Sequence, residues 1–375
     1  MNFRWVAGLA FLGTAVGGVS LLAQQAPATP QAPAATSTIT VNAKLVNLPV
    51  VVRDKNGALV QNLTQADFAL SVDGLPQTIR YFDKDNDLPL TLGLLIDTSG
   101  SVRSALDDER SASEAFLDQM MREGTGAGGA GQSGASRAPD QAFLIQFAHE
   151  ADLLQNLTAS RPKLREALSQ AGVESRDDNQ GGNNGNSGYG GYGHHHGSHG
   201  SGGTTLYDAV YLASNQLMQK QQGRKALVVL TDGEDRGSME TLASAVAAAQ
   251  RAETVVYAIY FKGEQHGNGG HGGGWGGGHG GYGGGGGRGG EKPVDGKKVL
   301  EQMTGETGGR MFEVSGKQTF AAIYTQIGEE LRSQYRLGYT PDAAEAAEGF
   351  HRVELTLTKD KKLFVQTRDG YFAGE

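Results

Sequence analysis

Two carboxylates and three hydroxyls stand where their chemistry could combine. Asp97, Ser99 and Ser101 lie in the segment Asp97-Thr98-Ser99-Gly100-Ser101, directly after an apolar run at residues 92–96. Thr204 lies in Gly202-Gly203-Thr204-Thr205-Leu206, where a helical pattern begins. Asp232 lies in Thr231-Asp232-Gly233-Glu234-Asp235, directly after a second apolar run at residues 226–230. Every donor is a hard oxygen, which suits Mg²⁺, Mn²⁺ or Ca²⁺ rather than a soft metal. One such segment alone is weak, because Asp and Ser are common turn and cap residues. Three in order, each in the expected local setting, are far more specific. Thr205 is the fallback for Thr204, since the doubled threonine blurs the register. Glu234 and Asp235, and likewise Asp107, Asp108 and Glu109, read as solvated charges at helix starts. His149 and His351 are isolated and need no special role.

These residues converge only if the segments carrying them share one edge of a sheet. Residues 90–96 form a continuous apolar run, as a strand buried on both faces requires. Helical spacing is expected over residues 104–121, 161–171, 206–217 and 239–253, and again at Phe320, Ile323, Tyr324, Ile327 and Leu331. Strands are expected at 142–147, 151–157, 226–230 and 255–261. This alternation predicts an α/β fold over residues 87–334, a doubly wound, mostly parallel sheet with helices on both faces. In such sheets ligands bind at the carboxyl ends of the strands, where all three segments fall. Residues 38–86 form a β-rich unit with turn signals at Asp54-Lys55-Asn56-Gly57 and Asp73-Gly74. Residues 335–375 return to strands as a C-terminal hairpin. Neither piece is large enough to be stable alone, so the two are expected to pair, with the α/β domain inserted between them.

The chain has 375 residues and a net charge of -8, with no cluster of Lys and Arg, which argues against nucleic acid as a partner. It has no cysteine, so disulfides, thiolate metal sites and cysteine nucleophiles are excluded. Residues 1–23 have a short positive start and a weakly apolar stretch, as in a secretory signal peptide, and residues 24–37 read as a linker. Export to the periplasm, cell surface or exterior is expected, with membrane contact only through this segment if it stays uncleaved. The 58 glycines concentrate in inserts at 124–136, 181–203 and 263–290. These have almost nothing to bury. Their histidines, among them His194, His195 and His196, read as spacer or opportunistic sites for soft metals.

Asp-x-Ser-x-Ser after an apolar strand, Gly-Gly-Thr before a helix and Thr-Asp-Gly after a second strand resemble the metal-ion adhesion site of von Willebrand factor type A domains. The whole order, from β unit to the C-terminal Tyr-Arg-Leu-Gly-Tyr strand, resembles bacterial secreted von Willebrand factor A-related domain proteins over residues 38–375. The His-bearing inserts depart from that pattern. The resemblance implies Ser99, Ser101 and Thr204 as direct ligands, with Asp97 and Asp232 acting mainly through water or hydrogen bonds. It implies an open metal position that takes an acidic side chain from a protein partner.

The expected function is therefore a secreted, metal-dependent binding module and not an enzyme. No Gly-x-Ser-x-Gly or His-Glu-x-x-His is present, and Gly296-Lys297 lacks the earlier glycine of a phosphate loop, because Glu291 stands there. The alternatives are an envelope scaffold whose glycine tracts make the contacts and, further off, a metal-dependent hydrolase using the same ion. The sequence does not decide the oligomeric state.

Overall fold

The computed structural model describes residues 45–84, 88–121, 138–172, 203–262, 295–341, 347–359 and 362–374. The expected signal peptide and linker and almost all of the three glycine tracts lie outside the described residues. Four strands come first: β1 (Val46–Arg53), β2 (Phe68–Val72), β3 (Leu75–Gln77) and β4 (Tyr81–Asp83). The alternating region begins with β5 (Leu90–Asp97), α1 (Leu106–Met120), β6 (Gln141–Phe147), β7 (Ala151–Thr158) and α2 (Arg161–Gln170). It continues with α3 (Leu206–Leu212), β8 (Arg224–Thr231), α4 (Leu242–Arg251) and β9 (Val255–Tyr260). It ends with α5 (Gly296–Thr307), β10 (Met311–Glu313) and α6 (Phe320–Arg332). The last strands are β11 (Tyr335–Tyr339), β12 (Gly349–Leu357), β13 (Phe364–Gln366) and β14 (Gly370–Ala373).

The α/β region forms a doubly wound sheet of order β10-β9-β8-β5-β6-β7. All neighbours are parallel except β6 and β7. All eight residues of β5 are buried, which its continuous apolar run foretold. Its side chains alternate between two cores. Leu92, Leu94 and Ile96 pack with α1, α2 and α6, while Leu95 packs with α3, α4 and α5. Gly93 is obligatory at the centre, because a Cβ there would lie 2.4 Å from both Leu227 and Phe143 side-chain carbons. The chain leaves β5 towards one face and β8 towards the other. The gap beyond their carboxyl ends is therefore the topological switch point.

The terminal strands make two further sheets, β13-β1-β11-β4 and β14-β12-β2-β3, antiparallel throughout. The sequence suggests one C-terminal hairpin laid against one N-terminal unit. The two ends do pair, and the pairing is divided between two sheets, each of which takes strands from both ends of the chain. Dividing the strands in this way lets two sheets enclose one core, including Leu48, Val50, Leu70, Val72, Leu337 and Val353, which a lone hairpin cannot do. His351 is not idle either: its Nδ1 lies 2.8 Å from Asp73 Oδ2 and its Nε2 lies 3.0 Å from the Ala347 carbonyl oxygen.

The two parts meet through buried polar contacts at the carboxyl ends of the helices. Glu330 of α6, 2 % exposed, lies 2.6 Å from the Arg53 guanidinium of β1 and 2.7 Å from that of Arg310. Arg368, also buried, donates to the carbonyls of Gln250 on α4 and Asn47 on β1. Glu330→Gln leaves two arginines facing each other without their shared anion. Breaking a buried ion pair in this way costs about 3–5 kcal/mol. Urea unfolding is expected to show a loss of that order at constant slope, and an unchanged midpoint would show that the cluster does not hold the two parts together.

Candidate functional site

Asp97 is the last residue of β5 and is fully buried. Its Oδ1 accepts the Ser99 backbone N–H at 2.9 Å, a turn that starts the loop immediately at the strand end. Its Oδ2 accepts the Thr231 hydroxyl at 2.7 Å, tying the end of β8 to the end of β5. A short 3₁₀ turn, Gly100–Ala105, carries Ser101 and is anchored by the fully buried Val102. Ser99 Oγ and Ser101 Oγ lie 3.2 Å apart. Two ligands at right angles on a metal with bonds of 2.0–2.4 Å are separated by about 3 Å, so this pair matches one edge of an octahedron.

The third segment reaches the same place by a different route. Thr98 N–H donates to the Phe147 carbonyl at 2.9 Å, and Thr205 N–H donates to the next carbonyl, Ala148, at 2.8 Å. Ser99 and Thr204 thus each adjoin a residue hung on consecutive carbonyls at the end of β6. The Thr205 hydroxyl also donates to Ala148, at 3.2 Å, so its proton is used within the fold. Arg236 N–H donates to the Thr204 carbonyl at 3.0 Å, lacing the loop after β8 onto this segment.

Asp232 follows β8 directly, half-buried, and its Oδ1 accepts the Glu234 N–H at 3.1 Å. Gly233 beside it has φ +76°, and a Cβ there would lie 2.3 Å from the Gly296 carbonyl oxygen at the start of α5. The close approach of Gly233 and Gly296 lets α5 begin against the Asp232 loop. The structure therefore ties the segments carrying Asp97, Ser99, Ser101, Thr204 and Asp232 together at the switch point.

The electrostatics are unusual for acids. Burial pushes the Asp97 carboxyl up to about 6, against the pull of hydrogen bonds from Ser99 and Thr231 and with further push from Asp232. Glu109 was expected to be a solvated helix-start charge. It is fully buried, and burial together with the nearby Asp97 holds it well above the usual carboxylate range. Asp107 and Asp108 are exposed as expected. Asp235 also departs from its expectation: it is half-buried and accepts the Tyr207 N–H at 3.1 Å, capping α3 rather than its own helix. His149 Nδ1 accepts the Gly203 N–H at 3.1 Å, so it too borders the site. Among the described residues no cluster of three or more His, Cys, Asp or Glu is placed to hold a metal, so any ion here depends on hydroxyls.

The sequence reading missed Thr231, although a threonine closing an apolar strand was a visible signal. It missed Glu109 although spacing placed it on the stripe of Leu106, Ser113, Phe116 and Met120. Nothing local marked Asp235, whose partner lies on a distant helix.

A family model, the von Willebrand factor type A domain, matches residues 195–326. The match includes Thr204 and Asp232, while Asp97, Ser99 and Ser101 lie ahead of it, at the end of the central strand β5 and in the turn that follows. No curated protein matches the chain. Among solved structures, BatB from Bacteroides thetaiotaomicron is 14% identical, with 65% of this chain and 100% of that chain covered, at a TM-score of 0.39. Proximal thread matrix protein 1 from the mussel byssus, described with a zinc-occupied MIDAS motif, is 12% identical, with 69% and 49% covered and a TM-score of 0.41. A von Willebrand factor type A protein from Catenulispora acidiphila is 11% identical, with 89% and 75% covered and a TM-score of 0.40.

A buried acid whose pKa rises on folding takes up a proton when the chain folds. Between pH 3.8, its ordinary value, and about 6, the contribution of Asp97 to the stability of the chelated protein therefore falls as pH rises. The total from Asp97 is on the order of 3 kcal/mol. Asp97→Asn is expected to remove this slope in urea titrations with chelator at stepped pH. Parallel profiles for wild type and variant would show that Asp97 is not its source.

Proposed function

From a chain that carries a von Willebrand factor type A domain, we propose a secreted binding module that uses a divalent ion to capture an acidic side chain of a protein partner. The observation that carries this reading is Asp97: a carboxyl removed from water, with only neutral donors on its two oxygens, beside two hydroxyls at octahedral spacing. Burying an anion without a counter-charge is costly, and a cation at this place offsets that cost. Mg²⁺ is the favoured ion, with Mn²⁺ and Ca²⁺ as alternatives, because the donors are all oxygen.

In this reading Ser99, Ser101 and Thr204 hold the ion through their hydroxyls. Asp97 and Asp232 stand behind them, orienting the hydroxyls and supplying negative charge at one remove. When bound, the ion supplies an electrophilic position for a carboxylate. Neutral groups in direct contact keep that position strongly electrophilic, since no protein charge neutralises it directly. Thr231 and the Ser99 N–H fix Asp97, so the site is set before any partner arrives. Residues 1–23 act as the export signal, placing the module in the periplasm, at the cell surface or outside. In this reading the open position of the ion serves binding rather than catalysis.

The test is titration of the mature chain with Mn²⁺, with free ion read by electron paramagnetic resonance. A variant lacking residues 181–200 and 263–290 separates the site from the histidine-bearing tracts. Binding is expected to survive that deletion and to weaken roughly tenfold or more in Asp97→Asn and in Thr204→Val. Binding lost with the tracts, or equal in Asp97→Asn and wild type, would leave the scaffold reading in its place.

A further inference from the structure

The loop between β8 and α4 does more than carry Asp232. It runs back across the first turn of α3 and binds it from both sides. Tyr207 N–H donates to Asp235 Oδ1 and to Ser238 Oγ, each at 3.1 Å, and Asp208 N–H donates to Ser238 Oγ at 3.1 Å. The Ser238 hydroxyl donates to Asp235 Oδ1 at 2.6 Å. In return the Asp208 carboxylate accepts the N–H groups of Met239, at 3.0 Å, and Glu240, at 2.8 Å.

The first N–H groups of a helix have no partner within it and need one from elsewhere. A residue just before the helix normally provides it. Thr205, which holds that place, makes no such bond, because its hydroxyl goes to the Ala148 carbonyl. The cap of α3 comes instead from Asp235 and Ser238, about thirty residues along the chain. This explains why the expected helix over 239–253 starts only at Leu242. The preceding residues are engaged with α3, and Met239 is left exposed.

Thr204 lies where this interlock matters. On its amino side stand Ser201, Gly202 and Gly203, and two consecutive glycines supply no side-chain restraint. Beside the Gly203 N–H on His149 and the Thr205 contacts with the Ala148 carbonyl, its position is set by the Arg236 N–H on its own carbonyl and by the capped residues 207 and 208. The same loop, a few residues earlier, holds Asp232. We propose that Asp235 is a positioning residue of the ion site. Through Ser238 and the first turn of α3, it holds Thr204 in register with the Asp232 loop without touching the ion. This rests on the reading of Ser99, Ser101 and Thr204 as the groups that hold the ion.

The role belongs to a hydrogen-bond acceptor and not to a charge, which gives a clean test. Asn keeps the acceptor Oδ1 and loses the charge, whereas Ala loses both. The full mature chain and its Asp235→Ala, Asp235→Asn, Asp97→Asn, Thr204→Val and Asp235→Ala/Thr204→Val variants are titrated with Mn²⁺. Backbone amide hydrogen exchange is followed at Tyr207 and Asp208 in chelator. Asp235→Ala is expected to weaken binding roughly tenfold and to speed exchange at both amides. Asp235→Asn is expected to restore both towards wild type. The double variant is expected to bind no worse than Thr204→Val alone, because both changes act on one group.

Wild-type affinity in Asp235→Ala, or an equal loss in Asp235→Asn, overturns the positioning role; the latter assigns the effect to charge. Absence of binding by wild type, or binding that Asp97→Asn does not weaken, overturns the ion site itself and this inference with it. If Asp235→Ala does not fold, Ser238→Ala carries the test, with smaller changes expected in the same direction and no change overturning the proposal.

Discussion

A carboxylate shut away from water at the end of the central strand is the constraint on which the rest of this structure depends. Asp97 closes a strand buried on both faces, so its position follows from the same apolar run that makes β5 the middle of the sheet. Leaving an anion there is tolerable only if the surrounding loops give it donors and hold them still. The Ser99 N–H and the Thr231 hydroxyl do so, and each belongs to a different strand end. The switch point is therefore a place where β5 and β8 are tied by hydrogen bonds as well as a gap between diverging loops. Local order at the site comes from satisfying one buried acid.

The opposite end of the sheet is organised by buried polar contacts and one ion cluster. The carboxyl-terminal parts of α4, α5 and α6 meet the terminal β-sheets through Gln250, Glu306 and Glu330. Each helix that follows or precedes a parallel strand finishes at the end away from the strands' carboxyl termini, whereas α2, which follows the antiparallel β7, finishes beside the end of β6. The β-sheets built from both chain ends thus attach where the helices finish, and the described parts of these sheets leave the candidate site uncovered.

The parts of this arrangement legible in the sequence were those encoded locally. The apolar runs at 90–96 and 226–230, the glycine of Asp-Gly turns and the order of the three polar segments each depend on a few adjacent residues. Pairing between distant strands was less legible. Alternation at Val353, Leu355 and Leu357 shows a strand with one buried face, but it does not say whether β1 or β2 is its neighbour. Glu109 shows the weakness of reading charge alone: acidic residues early in a helix are usually solvated, yet its spacing put it on the apolar stripe. Asp235 was beyond reach, because the helix it caps lies on another segment and leaves no trace in the residues beside it.

The same distinction explains how this domain accommodates long glycine-rich insertions. Lengthening a loop costs little once its ends are fixed, only about 0.6 kcal/mol for each doubling. The flanks of these tracts are held by specific bonds. The Met121 carbonyl accepts from Arg161, Gly172 N–H donates to Gln146 at 3.0 Å, and Gly203 N–H donates to His149 at 3.1 Å. Asp295 caps α5 through the Lys297 N–H at 3.2 Å. The ends of these segments are therefore secured by the folded frame. The fold thus separates what must be exact, the loops that bind one another across the strand ends, from what can vary in length and composition between them.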